Sequence, residues 1–317
     1  MVTHMIPRDM QENNEILFSK KHISPLIREF LLSETAIQEK IKLGITLLRH
    51  YREQEYYESK NLRIAQLCGI DMEELVIKIF VSTVYYQRPE TLVSATAMVA
   101  HFLGFGDKRD SILTVAEIMA VLAETDVYDI WRNDRTESFM VQSNIVVPED
   151  LVQRVNRCMY LPPMVCAPNK LRNNFESAYL TFNDNVILGK NNDCTGDACL
   201  DVINLQNNIP LKLDTEFLCK VEEEPNPGKV FETADQQKAW EDFKLDSYAT
   251  YELIVGQGNR FYLPNRLDKR GRSYAQGYYI TTQGSSFKKA MIEFANEEVV
   301  EGVPESARIS NSEECAA

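Results

Sequence analysis

At 317 residues, 44% hydrophobic and 26% charged, the chain has an ordinary globular composition, long enough for a sizeable core spread over two or three subdomains. Seven cysteines, an odd number at irregular spacing, point to no disulfide framework and suit reduced thiols in a cytoplasm. No basic segment followed by an apolar run opens the sequence, and the longest uncharged stretch, Thr91 to Gly106, is too short and too polar to span a bilayer, so neither a signal peptide nor a membrane association is expected.

Taken in chain order, the front is helical. After Ser33 the apolar residues Ile37, Ile41, Leu48 and Tyr51 fall on one helical face. Asp71, followed three residues later by Glu74, caps a second helix whose face is Met72, Leu75, Val76, Ile79 and Phe80, and Pro89 ends it. Ile112 to Leu122 is apolar nearly all round and belongs inside a bundle. Residues 24 to about 130 therefore read as mostly helical. Phe139 to Val147 is β-prone, and Pro148 with Glu149 and Asp150 opens a further helix.

The back is mixed. Gly196 to Asn208 reads as a helix stopped at Pro210, and Glu222 to Gly228, with three acids and two prolines, reads as a linker. Thr233 and Gln236 cap a long helix, with Trp240, Phe243, Ser247, Tyr248, Tyr251 and Ile254 on one face, ending near Gly256. Ser273 to Thr282 has strand character, Phe287 to Asn296 has helix character, and the tail after Gly302 reads as frayed.

Charge is distributed unevenly. Between Gly256 and Ala290 seven basic residues stand against Asp268 alone, a net +6 inside a chain of −13, so the remainder sums to −19. A positive island on a negative protein localises where a polyanion binds, because phosphates need cations and the rest of the surface repels them. Other constellations carry less. Cys194 and Cys199, with Asp193, Asp197 and Asp201, lack the spacing and the second pair of a zinc site. His4, His22, His50 and His101 read as surface residues of the helical front and offer no base to a nucleophile. Gly256-Gln257-Gly258 lacks the Lys-Ser/Thr of a phosphate-binding loop. The runs Glu222–Glu224 and Glu297–Glu301 read as solvated acidic faces.

The island contains a patterned string: Phe261, Tyr262, Pro264, Asp268, Gly271, Arg272 and Tyr274, then Gln283, Gly284 and Ser285, then the apolar Ala290, Met291, Ile292, Phe294 and Ala295. In order and spacing it resembles the Asp-x-x-Gly-Arg loop that opens the palm of single-subunit RNA polymerases, the phage-type and mitochondrial family, together with the Gln-Gly-Ser/Asn pair and short apolar helix that follow it. Leu161–Pro168 and Val202–Phe217 are weaker echoes of the end of that family's N-terminal domain. Before about Tyr160 there is no resemblance. Lys269 stands where the family commonly has an aromatic, and the single helix before Gly256 stands where the family has a longer helical pair, its thumb.

That resemblance implies a mainly α fold with a small α+β part: a helical N-terminal domain (1–158), the end of that domain (159–221), a linker and reduced thumb-like helix (222–256), the first element of a polymerase palm with the Asp-x-x-Gly-Arg loop (257–302), and a flexible tail (303–317). It implies nucleic-acid contacts from Arg266, Asp268, Lys269, Arg270, Gly271, Arg272 and Tyr274. Arg272 presents a planar charged fork to the RNA:DNA hybrid, Asp268 holds that fork through a bidentate pair, Gly271 permits close approach, and Tyr274 stacks or donates its hydroxyl. In the family two palm aspartates, one of them after a histidine, hold a metal pair. No His-Asp pair and no Tyr-Gly of the fingers helix occurs in this sequence. The expectation is therefore the smaller subunit of a split, heterodimeric bacteriophage RNA polymerase in the host bacterial cytoplasm, with no catalytic residue and no metal ligand of its own. A second subunit supplies the fingers, the catalytic palm and Mg2+, and DNA template and RNA transcript are the other partners. The alternative is a transcription adaptor or inactive polymerase remnant that holds nucleic acid without helping the chemistry.

Overall fold

The computed structural model describes residues 7–134, 136–157, 160–189, 194–225, 231–297 and Gly302. The chain is mainly helical with a small sheet part. It divides into two compact units, one of residues 13–161 and one of residues 1–12 with 162–317. The tail expected to fray from 303, and part of the expected linker, lie outside the described residues.

After α1 (Pro7–Leu17), the helical unit is built from α2 (Lys20–Ser33), α3 (Thr35–Glu53), α4 (Glu58–Ala65), α5 (Met72–Thr83), α6 (Leu92–Ala100), α7 (Lys108–Leu122) and α8 (Glu149–Arg157), with a three-stranded sheet of which one strand precedes α6 and two lie between α7 and α8 in sequence. Helix starts follow local chemistry. Ser19 accepts a hydrogen bond from the Lys21 N–H, Asp71 from the N–H groups of Glu73 and Glu74, Thr91 from that of Ser94, and Asp107 from those of Arg109 and Asp110, so the first-turn donors of α2, α5, α6 and α7 are satisfied by side chains.

The apolar faces meet in one core, in which Ile27, Leu31, Leu75, Ile79, Phe80, Ile118 and Leu122 are fully buried. α5 is its centre. Nine of its twelve residues are buried, so its apolar character extends beyond the one face that the spacing suggests. The sheet has the order β1 (Glu90–Thr91), β3 (Ser138–Ser143), β2 (Tyr128–Asn133), all antiparallel, with Ile130 opposite Val141. A buried charge is neutralised locally: Arg63, on α4, donates to Thr114 Oγ1 at 3.0 Å and to Glu117 Oε1 at 2.7 Å, both on α7.

The second unit is less regular. It contains α9 (Leu200–Asn207), β4 (Leu211–Leu213), α10 (Thr215–Lys220), α11 (Ala234–Gly256), β5 (Asn265–Leu267), β6 (Ser273–Ala275), α12 (Ser286–Ala290) and β7 (Ile292–Phe294). β4 pairs with β7 on one side. On the other, Leu211 and Phe261 exchange backbone hydrogen bonds of 2.8 and 2.9 Å, and Tyr262 in turn exchanges bonds of 2.7 and 3.0 Å with Met164. Phe261 is fully buried at the centre of this patch, among Leu213, Tyr251, Ile254, Ile280 and Met291.

Three expectations are corrected here. The apolar stretch after Lys289 is not one helix to Asn296: α12 ends at Ala290, and Ile292–Phe294 form a strand because β4 offers them a backbone ladder that local sequence cannot reveal. Strand character from Ser273 is confined to Ser273–Ala275, since Gly277 turns the chain so tightly that a Cβ there would run into the carbonyl oxygen of Ile280. The acidic run before α11 is not a uniformly solvated face, because Glu223 is buried and Glu222 pairs with Lys244 at 2.6 Å.

Candidate nucleic-acid interface

The basic island forms a hairpin. β5 and β6 pair antiparallel with Leu267 opposite Ser273, and the loop closes through Gly271 N–H to the Asp268 carbonyl at 2.9 Å and Asp268 N–H to the Arg272 carbonyl at 2.9 Å. This is a tight turn followed by one left-handed residue. Gly271 occupies that position with φ +80°, a conformation that a side chain would strain.

Asp268 organises the tip. Its Oδ1 accepts the backbone N–H groups of Arg270 at 2.9 Å and Arg272 at 3.0 Å. Its Oδ2 accepts the Arg272 guanidinium through Nε at 2.7 Å and Nη2 at 2.6 Å, and the Tyr274 hydroxyl lies 3.4 Å away. The expected two-oxygen bidentate pair is thus replaced by two guanidinium nitrogens on one carboxylate oxygen, because the backbone has already claimed the other. The Arg272 N–H, followed by its guanidinium, holds the Asp268 carboxyl below the usual carboxylate range, and the same contact raises Arg272 above its ordinary value.

The side chains divide by exposure. Asp268 is only 18% exposed, whereas Arg272 is 53% and Arg270 72% exposed. The carboxylate therefore works inward while both guanidinium groups face solvent. Lys269 is exposed beside them, and the Arg272 guanidinium lies 5.6 Å from the centre of the half-buried Tyr274 ring. Arg266 is set apart from this group: its Nε donates to the Asn185 carbonyl at 2.9 Å, so it ties the hairpin to the preceding segment.

The root is rigid. Leu267 is buried with Leu171, Val186, Ile187 and Ile203, and its backbone bonds to Val186 and Leu188 on the side away from β6. Asn207, buried at the end of α9, accepts the Asn265 N–H at 2.7 Å. Beyond β6, the Gln283 side chain takes the place of a strand, donating to the Ser273 carbonyl and accepting the Ala275 N–H, each at 3.0 Å. The Gln-Gly-Ser string is thus mechanically linked to the hairpin. No signal in the sequence reveals these roles, because the Asn207 and Gln283 side chains act on backbone groups across the chain and Asn185 offers only its own carbonyl to Arg266.

Behind that string lies a polar cluster around the buried Glu223. Ser285 caps α12 and stands 3.4 Å from Glu223 Oε1, while Lys288 donates to the Tyr278 carbonyl at 2.8 Å. Glu223 Oε2 and the hydroxyls of Tyr248 and Tyr251 have no hydrogen-bond partner among the described residues. Burial raises the Glu223 carboxyl above its ordinary value, opposed by Lys288, Ser285 and Lys244, and burial lowers Lys288. A carboxyl raised by folding contributes its stability below its unfolded pKa of about 4.3 and loses it as pH rises through the folded value. Glu223→Gln is therefore expected to raise the thermal midpoint at pH 8 and to leave it unchanged below about pH 4, measured by calorimetry across that range.

Among the described residues, no group of three or more His, Cys, Asp or Glu side chains could hold a metal ion, and Cys194 and Cys199 are exposed free thiols. His50 and His101 are exposed and His22 is half-buried, while His4 and Asp193 lie outside the described residues. No helix of the described residues is long and apolar enough to cross a membrane. Compared with known proteins, the chain matches no protein-family model and no curated protein.

Proposed function

We propose that this chain is the smaller subunit of a split DNA-directed RNA polymerase of the single-subunit, phage-type class, a nucleotidyltransferase whose catalytic aspartates and Mg2+ reside in a second polypeptide. In this reading residues 13–161 are the helical N-terminal domain, α11 is a reduced thumb, and the hairpin from β5 to β6 is the palm's first element. Arg272, Arg270 and Lys269 contact phosphates and the minor groove of the RNA:DNA hybrid, while Asp268 presets Arg272 and is not itself a ligand of the nucleic acid.

The observation that carries the reading is the division of labour at the hairpin tip. A carboxylate turned inward holds the Arg272 guanidinium at 2.6–2.7 Å, with Arg270 Nε at 3.4 Å from the same oxygen, so the fork reaches the hybrid without losing much rotamer freedom on binding. β7 adds support. Its only strand partner among the described residues is β4, and Phe294 at its end is 68% exposed, which suits a sheet edge completed by another chain. α11 spans 23 residues, about 34 Å; Ser247, Tyr251 and Ile254 are buried in its C-terminal half, while Trp240 packs on Phe231 and Phe243 on Tyr278 and Tyr279 nearer its start. Two lysines against five acids along it give that helix no electrostatic hold on phosphates.

The test is reconstitution. The purified chain is mixed with the product of the neighbouring reading frame on an RNA:DNA scaffold, and nucleotide incorporation is measured. Incorporation by the pair and by neither chain alone is expected. Incorporation by this chain alone, or none by the pair, overturns the assignment.

A further inference from the structure

In the helical unit β3 runs on into an unpaired extension. Beside β2 it continues as far as Asn144, whose N–H donates to the Val127 carbonyl at 2.9 Å, and there the neighbouring chain turns away through Asp126 in a left-handed conformation, φ +56°. Ile145, Val146 and Val147 carry the strand alternation past that point, with Ile145 and Val147 buried in the core, as Val141 is, and Val146 90% exposed. The N–H groups of Val146 and Val147 donate to nothing among the described residues. A β-branched run with open backbone groups is a template for another strand.

A cleft of about 470 Å³ borders this extension. Phe30, Ile37 and Pro148 supply its apolar lining, and Lys40 reaches from α3 to donate to the Asp126 carbonyl at 2.9 Å. The rim is acidic. Glu34 and Asp126 line the cleft, and Glu149 and Asp150 follow Pro148 directly and are exposed, so four carboxylates stand against the one Lys40 ammonium. The field of a chain of net charge −13 works in the same direction, repelling acidic partners and attracting basic ones.

We propose that this cleft receives an extended segment of a partner protein, apolar at every second position with Lys or Arg between, which pairs with Val146 and Val147 as an added strand and sets an apolar side chain against Phe30 and Ile37. Backbone pairing supplies the affinity of such a contact, and the pocket for alternate side chains supplies its selectivity. A helical partner would leave the Val146 and Val147 N–H groups bare. A second copy of this chain would bring the same carboxylates against this rim, so the basic segment belongs to another protein. The inference is independent of the polymerase reading, since none of its residues belongs to the hairpin.

Selection of short peptides from a random display library against the purified full chain tests it, with the enriched sequences measured by fluorescence anisotropy and amide chemical shifts. Peptides that alternate apolar residues with Lys or Arg are expected to enrich and to shift the Val146 and Val147 amides. Val146→Asp, and Val146→Pro, which removes the N–H, alter a side chain that is 90% exposed, so helical circular dichroism is expected to stay unchanged while each weakens binding about tenfold or more. Val93→Asp, at an exposed valine of α6, is expected to leave affinity unaltered. Enrichment of no peptide, or of acidic or helical sequences only, overturns the proposal, as do amide shifts confined to other residues, unchanged affinity in both Val146 variants, or loss of binding in Val93→Asp. Self-association of the free chain that Val146→Asp abolishes also overturns it, by making a second copy the occupant.

Discussion

Arg272→Ala is expected to lower nucleotide incorporation by the reconstituted two-chain enzyme roughly 10- to 100-fold, the effect of removing about 1.5–3 kcal/mol of charge-assisted hydrogen bonding. The side chain is half-exposed, and its ion pair is with Asp268 in the same loop, so its removal opens no cavity. The hairpin root, set by Leu267, Asn207 and Gln283, does not depend on it. The folded state should therefore survive while the contact is lost. Arg272→Lys keeps the charge but cannot place two nitrogens on one Asp268 oxygen, so it is expected to recover only part of the activity. Loss of one phosphate contact also predicts that the slope of log affinity against log salt falls by about 0.9 in magnitude. Steady-state incorporation and a salt titration on the same scaffold measure both. Wild-type activity in the alanine variant would reduce the hairpin to architecture and favour an adaptor that merely holds template.

Phe261→Ala carries the largest expected effect on stability, about 3–5 kcal/mol by chemical denaturation of the second unit. The ring is fully buried among Leu213, Tyr251, Ile254 and Met291, and the backbone on either side of it is committed to Leu211 and Met164. Those strands cannot close around a cavity without breaking the ladder that carries Tyr262 and Leu263 toward β5. The loss should therefore propagate, with faster amide exchange at Leu211 and Leu267 and at the C-terminal half of α11, which the same cluster anchors. A cost under about 1 kcal/mol would mean that this patch collapses freely and does not brace the hairpin.

What the sequence discloses about this fold follows from the range of the interaction responsible. α3, α5, α7 and α11 are legible because their apolar spacing, and for α5 and α11 also their caps, lie within a few residues of the elements they specify, and Thr233 does cap α11 by accepting from the Gln236 N–H. β7 is not legible, because Ile292–Phe294 is too short to distinguish helix from strand and its partner lies about 80 residues earlier. Glu223 looks solvated by composition, and only its burial beside α11 and α12 reveals otherwise.

The hairpin tip stands between these cases. Asp268 and Gly271 announce a turn, and their spacing places Arg272 next to the carboxylate, yet which oxygen it meets depends on backbone N–H groups that no pattern displays.

The most direct measurement places a photo-crosslinking amino acid at Lys269, an exposed position at the tip whose own side chain is not required for the Asp268–Arg272 geometry. The assembled two-chain enzyme is stalled on an RNA:DNA scaffold and irradiated. The account predicts crosslinks to template or transcript within the hybrid, close to the growing 3′ end. Crosslinks confined to protein, or to duplex DNA away from the hybrid, would contradict it.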